Sequence, residues 1–261
     1  MDAEKLDPAA LTVFVTGATS GFGEATARRF HAAGSRVVLT GRRQERLDAL
    51  VAELGSPERV HTLRLDVRDR AAVFAAVESL PSAFAEVDVL VNNAGLALGL
   101  EPAQAADLDD WDTMVDTNCK GLMYCSRALL PGMCARDRGH VLNLGSVAGS
   151  YPYPGGNAYG ATKAFVHQFS LNLRADLIGY NVRVTDIEPG LAQTEFSEVR
   201  FKGDRQKAAK PYEGLDPLRG HDVAETIFWA ATLPRHVNIN RLEVMPVMQA
   251  FNPFNFHRQS G

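Results

Sequence analysis

Thr16-Gly17-Ala18-Thr19-Ser20-Gly21-Phe22-Gly23 joins a β-branched run, Leu11-Thr12-Val13-Phe14-Val15-Thr16, to a helical stretch from Glu24 to Ala33. Glycines at such a turn let the backbone come close to a pyrophosphate, and the helix N-terminus supplies N–H donors with a partial positive charge. The spacing is GxxxGxG rather than the commoner GxGxxG of dinucleotide sites. A glycine-rich turn alone can be structural, but a strand before and a helix after it point to a nucleotide.

Outward from this turn the same alternation continues. Strands are expected at Arg36–Thr40, His61–Leu65, Val87–Val91, His140–Leu144, Asn181–Ile187 and near Asn240–Val244. Helices are expected at Gln44–Leu54, Ala71–Leu80, Trp111–Arg136 (bent or interrupted near Pro131-Gly132), Asn157–Ile178 and Asp222–Leu233. Near-continuous apolar strands alternating with helices argue an α/β, doubly wound Rossmann fold, a parallel sheet covered on both faces. The 261 residues suit one domain, 1–261. The stretch 194–220, rich in charge, glycine and proline, has no clear period and reads as a substrate lid; 246–261 is a C-terminal tail.

The end of the second strand selects the nucleotide. NAD-binding folds carry Asp or Glu there for the ribose 2′-hydroxyl. This chain has Thr40-Gly41-Arg42-Arg43. A carboxylate would repel a 2′-phosphate by ~4 kcal/mol at 4 Å and intermediate dielectric, whereas arginines bind it through charge-assisted hydrogen bonds. The cofactor read from these residues is NADP(H). Asp66, ending the third strand beside Val67, either accepts from the adenine amino group or caps the next helix.

Tyr159 and Lys163 lie four apart, on one face of the expected Asn157–Ile178 helix. Free tyrosine has a pKa near ~10, so about one in a thousand is phenolate at neutral pH. A nearby cation lowers that value, giving a proton donor and acceptor suited to carbonyl–alcohol interconversion.

Composition agrees with an ordinary soluble globular protein. Net charge is −4, with 46% hydrophobic and 22% charged residues. No basic run points to nucleic acid, and no apolar run reaches the ~18 residues of a membrane span. The polar N-terminus lacks the form of a signal peptide. The three cysteines (Cys119, Cys125, Cys134) show no CxxC or zinc spacing and suit reduced thiols in a cytoplasmic protein. The seven histidines form no HxxxH or HExxH pair, and no metal site is expected.

TGATSGFG, Asn92-Asn93-Ala94-Gly95, Asn118-Cys119-Lys120-Gly121, Gly145-Ser146, Tyr159…Lys163 and Pro189-Gly190 occur in this order over residues 12–194. Together they resemble the short-chain dehydrogenase/reductase family. The resemblance implies a sheet of seven parallel strands, a homotetramer built on the long helices after strands four and five, and a catalytic set of Asn118, Ser146, Tyr159 and Lys163. Tyr159 would act as general acid or base, Ser146 would hydrogen-bond the substrate oxygen, and Lys163 would lower the tyrosine pKa and hold the nicotinamide ribose. Asn118 either orients a water toward Lys163 or satisfies a helix kink. Cofactor contacts are expected from Gly17, Thr19, Ser20, Gly21, Phe22, Gly23, Arg42, Arg43, Asp66, Val67, Asn93, Ala94, Gly95, Tyr159, Lys163, Pro189, Gly190 and Thr194. Asn93 is a ribose contact or a turn residue, and Ile187 joins Thr194 near the carboxamide.

Asn92 to Leu98, Tyr159 to Phe165, Asp186-Ile187-Glu188-Pro189-Gly190, Val199 to Asp204 and Asn238 to Val247 are similar to NADP-dependent 3-hydroxy acid dehydrogenases. That group acts on serine, allo-threonine and related 3-hydroxy acids and reduces malonic semialdehyde; sulfoacetaldehyde reductases resemble the same segments. The partner expected is therefore a small anionic hydroxy or oxo substrate. Arg200 in the lid is the candidate for its anionic end, set far enough from Tyr159 not to perturb it, because guanidinium engages carboxylate or sulfonate bidentately. Tyr153 would add a hydroxyl, and Lys202 is expected at the surface. Acyl-thioester, steroid or sugar reduction and a non-catalytic NADPH sensor are the rival readings. The tail phenylalanines Phe251, Phe254 and Phe256 would pack on a neighbouring subunit or fold over their own site.

Overall fold

The computed structural model describes residues 4–251. β1 (Thr12–Val15) leads into α1 (Gly21–Ala32), then β2 (Arg36–Gly41), α2 (Gln44–Leu54), β3 (Val60–Arg64), α3 (Arg70–Glu78) and β4 (Val89–Asn92). α4 (Leu108–Val115), a π-helical turn (Asp116–Gly121) and α5 (Leu122–Ala135) run on into β5 (Gly139–Leu144) and α6 (Asn157–Asp176). β6 (Val182–Pro189), two short helices α7 (Phe196–Arg200) and α8 (Arg205–Ala209), α9 (Gly220–Thr232) and β7 (Arg241–Val244) follow. Every expected strand and helix is present, with ends shifted by at most three residues.

The strands form one parallel sheet in the order β3-β2-β1-β4-β5-β6-β7. From β1 the chain winds outward one way to β3, then crosses back to β4 and winds the other way. The order reverses between β1 and β4, and a crevice opens there beyond the strand carboxyl ends. The glycine turn after β1 and Asn93-Ala94-Gly95 after β4 both fall in it.

Period two along each strand distributes apolar side chains to both faces. Val13, Val15, Val37 and Leu39 pack with Ala27 and Phe30 of α1 and Val223 and Ile227 of α9. Phe14, Val38, Leu90 and Val141 pack on the opposite face with Val73 of α3, Leu129 and Met133 of α5 and Leu173 of α6. All of these are buried, so the sheet's position, and with it the crevice, is held from two sides.

One expected irregularity is misplaced. Pro131 lies inside α5, and the helix break is the π turn at Asp116–Gly121. The cause is Asn118, whose side-chain amide is bonded to the backbone of Leu96 on the β4 loop. The wider turn lets this side chain point at that loop while α4 and α5 keep their own packing. The 194–220 segment leaves and rejoins the sheet at one place. Ala192 bridges Leu218, and Gln193 N–H donates to Leu218 O at 2.8 Å.

Candidate active site

The crevice at the switch point is a cavity of about 270 Å³. Its floor is the glycine turn. Gly17 has φ +66°, and a Cβ there would sit 3.0 Å from Ala94 Cα. Gly23 lies behind the turn, where a Cβ would come 2.4 Å from Gly17 O; it permits close packing and does not line the cavity. Thr16 Oγ1 accepts from the N–H groups of Asn93 (3.0 Å) and Ala94 (2.9 Å), tying the two loops together. The Asn93 amide donates back to Thr16 O (2.8 Å) and Gly17 O (3.1 Å), so its donor serves as the turn residue. Ser20, the N-cap of α1, makes no side-chain capping bond, and the first-turn N–H groups are not capped by it.

Gly17, Thr19, Ser20, Gly21, Phe22, Arg42, Arg43, Asp66, Val67, Asn93, Ala94, Gly95, Tyr159, Lys163 and Thr194 all line this cavity. Pro189 and Gly190 line the neighbouring one instead. Ile187 lines neither; it is fully buried in the core, because alternation along β6 turns it away from its neighbours Asp186 and Glu188. Asp66 does not cap α3. Asp69 does, accepting from Ala72 N–H, while Asp66 is bound by Arg68 at 2.6 Å, which holds its carboxyl below the usual range.

Around the arginines the structure adds two residues that the sequence did not single out. Arg43 donates to Thr19 Oγ1 at 3.0 Å and pairs with Glu195 at 3.3 Å; Arg46 pairs with the other oxygen of Glu195 at 2.5 Å. Burial alone would raise the Glu195 pKa, but the hydrogen bonds from Arg46 and Arg43 outweigh it and hold the carboxyl low. A lid carboxylate thus spans the arginine end of the crevice.

Tyr159 and Lys163 emerge side by side from α6, with Lys163 Nζ 5.8 Å from the phenol ring centre. Lys163 Nζ donates to Leu144 O at 2.6 Å. Burial brings its pKa down to about 8, with Asp186 opposing that fall. The Tyr159 phenol lies above its ordinary value. Burial is the main cause, and the charge of Arg200 and a hydrogen bond with Ser146 work against it. Burial here outweighs the neighbouring cations expected to lower it. Apolar walls from Phe196 (ring centres 5.5 Å apart), Leu96 and Met114 destabilise the phenolate, and the lysine is turned to a backbone carbonyl. Asn118 sits close by, its amide nitrogen donating to Leu96 O and to Thr162 (3.0 Å) and its oxygen accepting from Leu96 N–H. These bonds suit the kink-satisfying reading, while Oδ1 keeps a second lone pair and lies, like Lys163 Nζ, beside Gly95. Cys119 packs under the same turn with its thiol pushed up to about 11.

A second cavity, about 560 Å³, opens from the first across Gly145, Tyr159, Thr194 and Phe196. Ser146, Tyr153, Tyr159 and Arg200 line it, as expected, with Tyr151, Tyr212 and Phe251 in addition. Arg200 Nη2 donates to Tyr153 Oη at 2.8 Å. The guanidinium carbon stands 5.1 Å from the Tyr159 ring centre, which contradicts the expectation that it keeps clear of the phenol. The backbone explains the approach: Gly99 N–H donates to Arg200 O at 3.1 Å, drawing α7 down onto the β4 loop. Arg200 Nε is buried and makes no hydrogen bond. Lys202, exposed as expected, pins the lid to Asp110 of α4 at 2.9 Å. Gln249 accepts from Leu191 N–H at 2.7 Å, and Phe251 lies 6.0 Å from Tyr151, so the tail up to Phe251 folds over its own cavity. Phe254 and Phe256 lie outside the described residues.

The model for short chain dehydrogenases matches residues 11–205, three quarters of the chain. The chain belongs to the short chain dehydrogenase family. It is 62% identical over 249 residues to the NADP-dependent 3-hydroxy acid dehydrogenase YdfG of Salmonella typhi, covering 95% of this chain and all of that one. It is 56% identical over 247 residues to sulfoacetaldehyde reductase 2 of Chromohalobacter salexigens, covering 94% and 98%. Among solved structures, a closed form of serine dehydrogenase complexed with NADP+ superposes with a TM-score of 0.91 at 60% identity, covering 95% and 99%. The family is one of oxidoreductases that act on hydroxyl groups, and its fold is the seven-stranded parallel sheet seen here.

Proposed function

We propose that this chain is an NADP-dependent dehydrogenase of small 3-hydroxy acids, interconverting them with the 3-oxo acids. The observation that carries the substrate reading is Arg200, a half-buried cation lining the cavity that Tyr159 and Ser146 also line, with a neutral phenol as its hydrogen-bond partner there. A half-buried guanidinium favours an anionic partner, and a substrate carboxylate supplies one. The names of relatives at 62% and 56% identity support an acidic substrate of this size.

NADP suits the first cavity. The glycine turn brings backbone to the pyrophosphate, Arg42 and Arg43 supply cations at the 2′-phosphate end, and no Asp or Glu ends β2. Bound there, the cofactor supplies the hydride. The chain's own side chains manage the proton and the charge. Tyr159 gives its O–H proton to the forming alkoxide in reduction and takes it back in oxidation. Ser146 donates to the substrate oxygen. Arg200, with Tyr153 oriented by it, holds the anionic end. Because the guanidinium lies so near the phenol, closing the lid also favours the phenolate. Lys163, bonded to Leu144 O, stands ready to return a proton to Tyr159.

Sulfoacetaldehyde reduction is the second reading, since a guanidinium binds sulfonate as it binds carboxylate. Absorbance of reduced nicotinamide with serine, 3-hydroxypropionate and isethionate as substrates, NADP in excess, distinguishes the two. Turnover of none of them, alongside tight NADPH binding, would sink both. We also propose a single-domain, cytoplasmic homotetramer. Val115 on α4 and Leu171 on α6, both exposed, support buried helix faces between subunits, and light scattering gives the mass.

A further inference from the structure

Asp186 and Glu188 occupy alternate positions of β6 and so turn to one face of the sheet, where His167 of α6 lies over them. His167 Nδ1 stands 3.1 Å from Asp186 Oδ2 and 3.1 Å from Glu188 Oε1. The three atoms, one from each side chain, lie within 4.8 Å of one another. Asp186 and Glu188 are 1% and 2% exposed, while His167, at 27%, reaches solvent. The cluster sits behind the candidate active site, with Asp186 packed under Gly145, the residue before Ser146.

Charge does not balance within this cluster. Buried charges are paired or coordinate a metal. Arg241 of β7 takes the other Glu188 oxygen at 2.6 Å and also reaches Glu243 at 3.4 Å. Among the described residues, no lysine or arginine forms an ion pair with Asp186, and Lys163 Nζ is bonded to Leu144 O instead. Asp186 Oδ1 makes no hydrogen bond and is the one buried carboxylate oxygen among the described residues in that state. The imidazole does not close the gap. A ring nitrogen carries at most one proton, yet Nδ1 faces two oxygens at equal distance, and the contact with Asp186 is the one with hydrogen-bond geometry.

We propose that His167, Asp186 and Glu188 form a binding site for a divalent cation of the zinc type, with water completing its shell on the exposed side of His167. Nitrogen and carboxylate ligands stand about 2.0 to 2.2 Å from zinc, so two of them at right angles are about 3 Å apart. His167 Nδ1 keeps that spacing to both carboxylates. One imidazole with two carboxylates suits zinc, whereas magnesium and calcium take oxygen ligands. Arg241 then serves as the outer partner that orients Glu188. The ligands meet across 19 positions, from α6 and β6, so no local spacing such as HxxxH announces them. An ion here clamps the helix of Tyr159 to the strand that ends at Pro189. It takes no part in the hydride or proton steps, and the inference does not rest on the proposed function.

Calorimetric titration of the chelator-treated, tag-free full chain with ZnCl2, with thermal melting followed in parallel, tests the site. One Zn2+ per chain is expected to bind and to raise the melting temperature. His167→Ala and Asp186→Asn are each expected to weaken Zn2+ binding by about a hundredfold or more, since loss of an outer partner alone costs up to that much. Mg2+ is expected not to compete. Crystals soaked in ZnCl2 are expected to show anomalous scattering between the three side chains. Should Asp186→Asn fail to fold, His167→Ala decides alone, at a side chain that reaches solvent. No Zn2+ binding overturns the site and leaves the two carboxyls sharing a proton. Binding and a melting shift that survive in His167→Ala overturn it too, and place the ion on exposed histidines such as His221 and His236. Neither readout depends on turnover, so an inactive enzyme would bring down the proposed function and leave this site standing.

Discussion

The nucleotide crevice and the second cavity share Phe22, Gly145, Tyr159, Thr194 and Phe196, yet they are built in opposite ways. The crevice is largely backbone: a glycine turn after β1 locked to the β4 loop by Thr16 and Asn93, on a sheet packed from both faces. The second cavity gathers side chains from segments scattered along the chain, Phe22 of α1 and Leu100 of the β4 loop among them. Ser146, Tyr151 and Tyr153 follow β5, Arg200 and Tyr212 come from the lid, and Phe251 from the tail. A phosphate is recognised by N–H groups that every residue but proline carries, so geometry suffices. A small acid is recognised by particular functional groups, so identity matters and the pieces can be exchanged without disturbing the sheet.

The contrast can be broken most forcefully at the shared residue. Tyr159→Phe is expected to lower kcat by about a thousandfold or more, with the NADPH Kd from fluorescence titration unchanged; substantial residual turnover would remove Tyr159 from its role. Next in size is Arg200→Ala. It is expected to cost about a hundredfold in kcat/KM on 3-hydroxy acids and far less on a neutral aldehyde of similar size. Arg200 opposes the rise in the Tyr159 pKa, so its loss raises that pKa further. Oxidation needs the phenolate, and its rate–pH profile should move to higher pH. A uniform loss with an unmoved profile would reduce Arg200 to a lid support. Arg42→Ala with Arg43→Ala should raise the KM for NADP about thirtyfold and that for NAD by no more than about threefold; equal effects would show that neither arginine reads the 2′-phosphate. The smallest effect sharpens the boundary between the regions. Glu195 competes for Arg43 through a half-exposed pair worth about 1 kcal/mol or less. Glu195→Gln should therefore lower the KM for NADP by about two- to fivefold and leave NAD unchanged. A higher KM for NADP would mean that the lid carboxylate orients the arginines instead.

Legibility in the sequence followed the same division. The glycine turn, Arg42-Arg43 and Tyr159…Lys163 were readable because each depends on a local spacing that a turn or a helix converts directly into geometry. Arg46 and Glu195 were not, since they meet across 149 positions. The π turn escaped because its cause, Asn118 on Leu96, spans 22 positions, while Pro131 offered a nearer and misleading explanation. Ile187 was placed near the carboxamide because Pro189 and Gly190 follow it closely, and only its burial in the core shows that it lines neither cavity.

The succession of strands and helices along the chain, the nucleotide turn, and the presence of a phenol and an ammonium on one helical face were decided by the amino-acid sequence itself, because period and spacing along a single element dictate them. The burial that raises Tyr159, the nearness of Arg200 to its ring, and the grouping of Asp186, Glu188 and His167 behind Lys163 were decided only by tertiary structure. Those are properties of desolvation and of distance between separate elements, and they exist once the sheet and helices have packed.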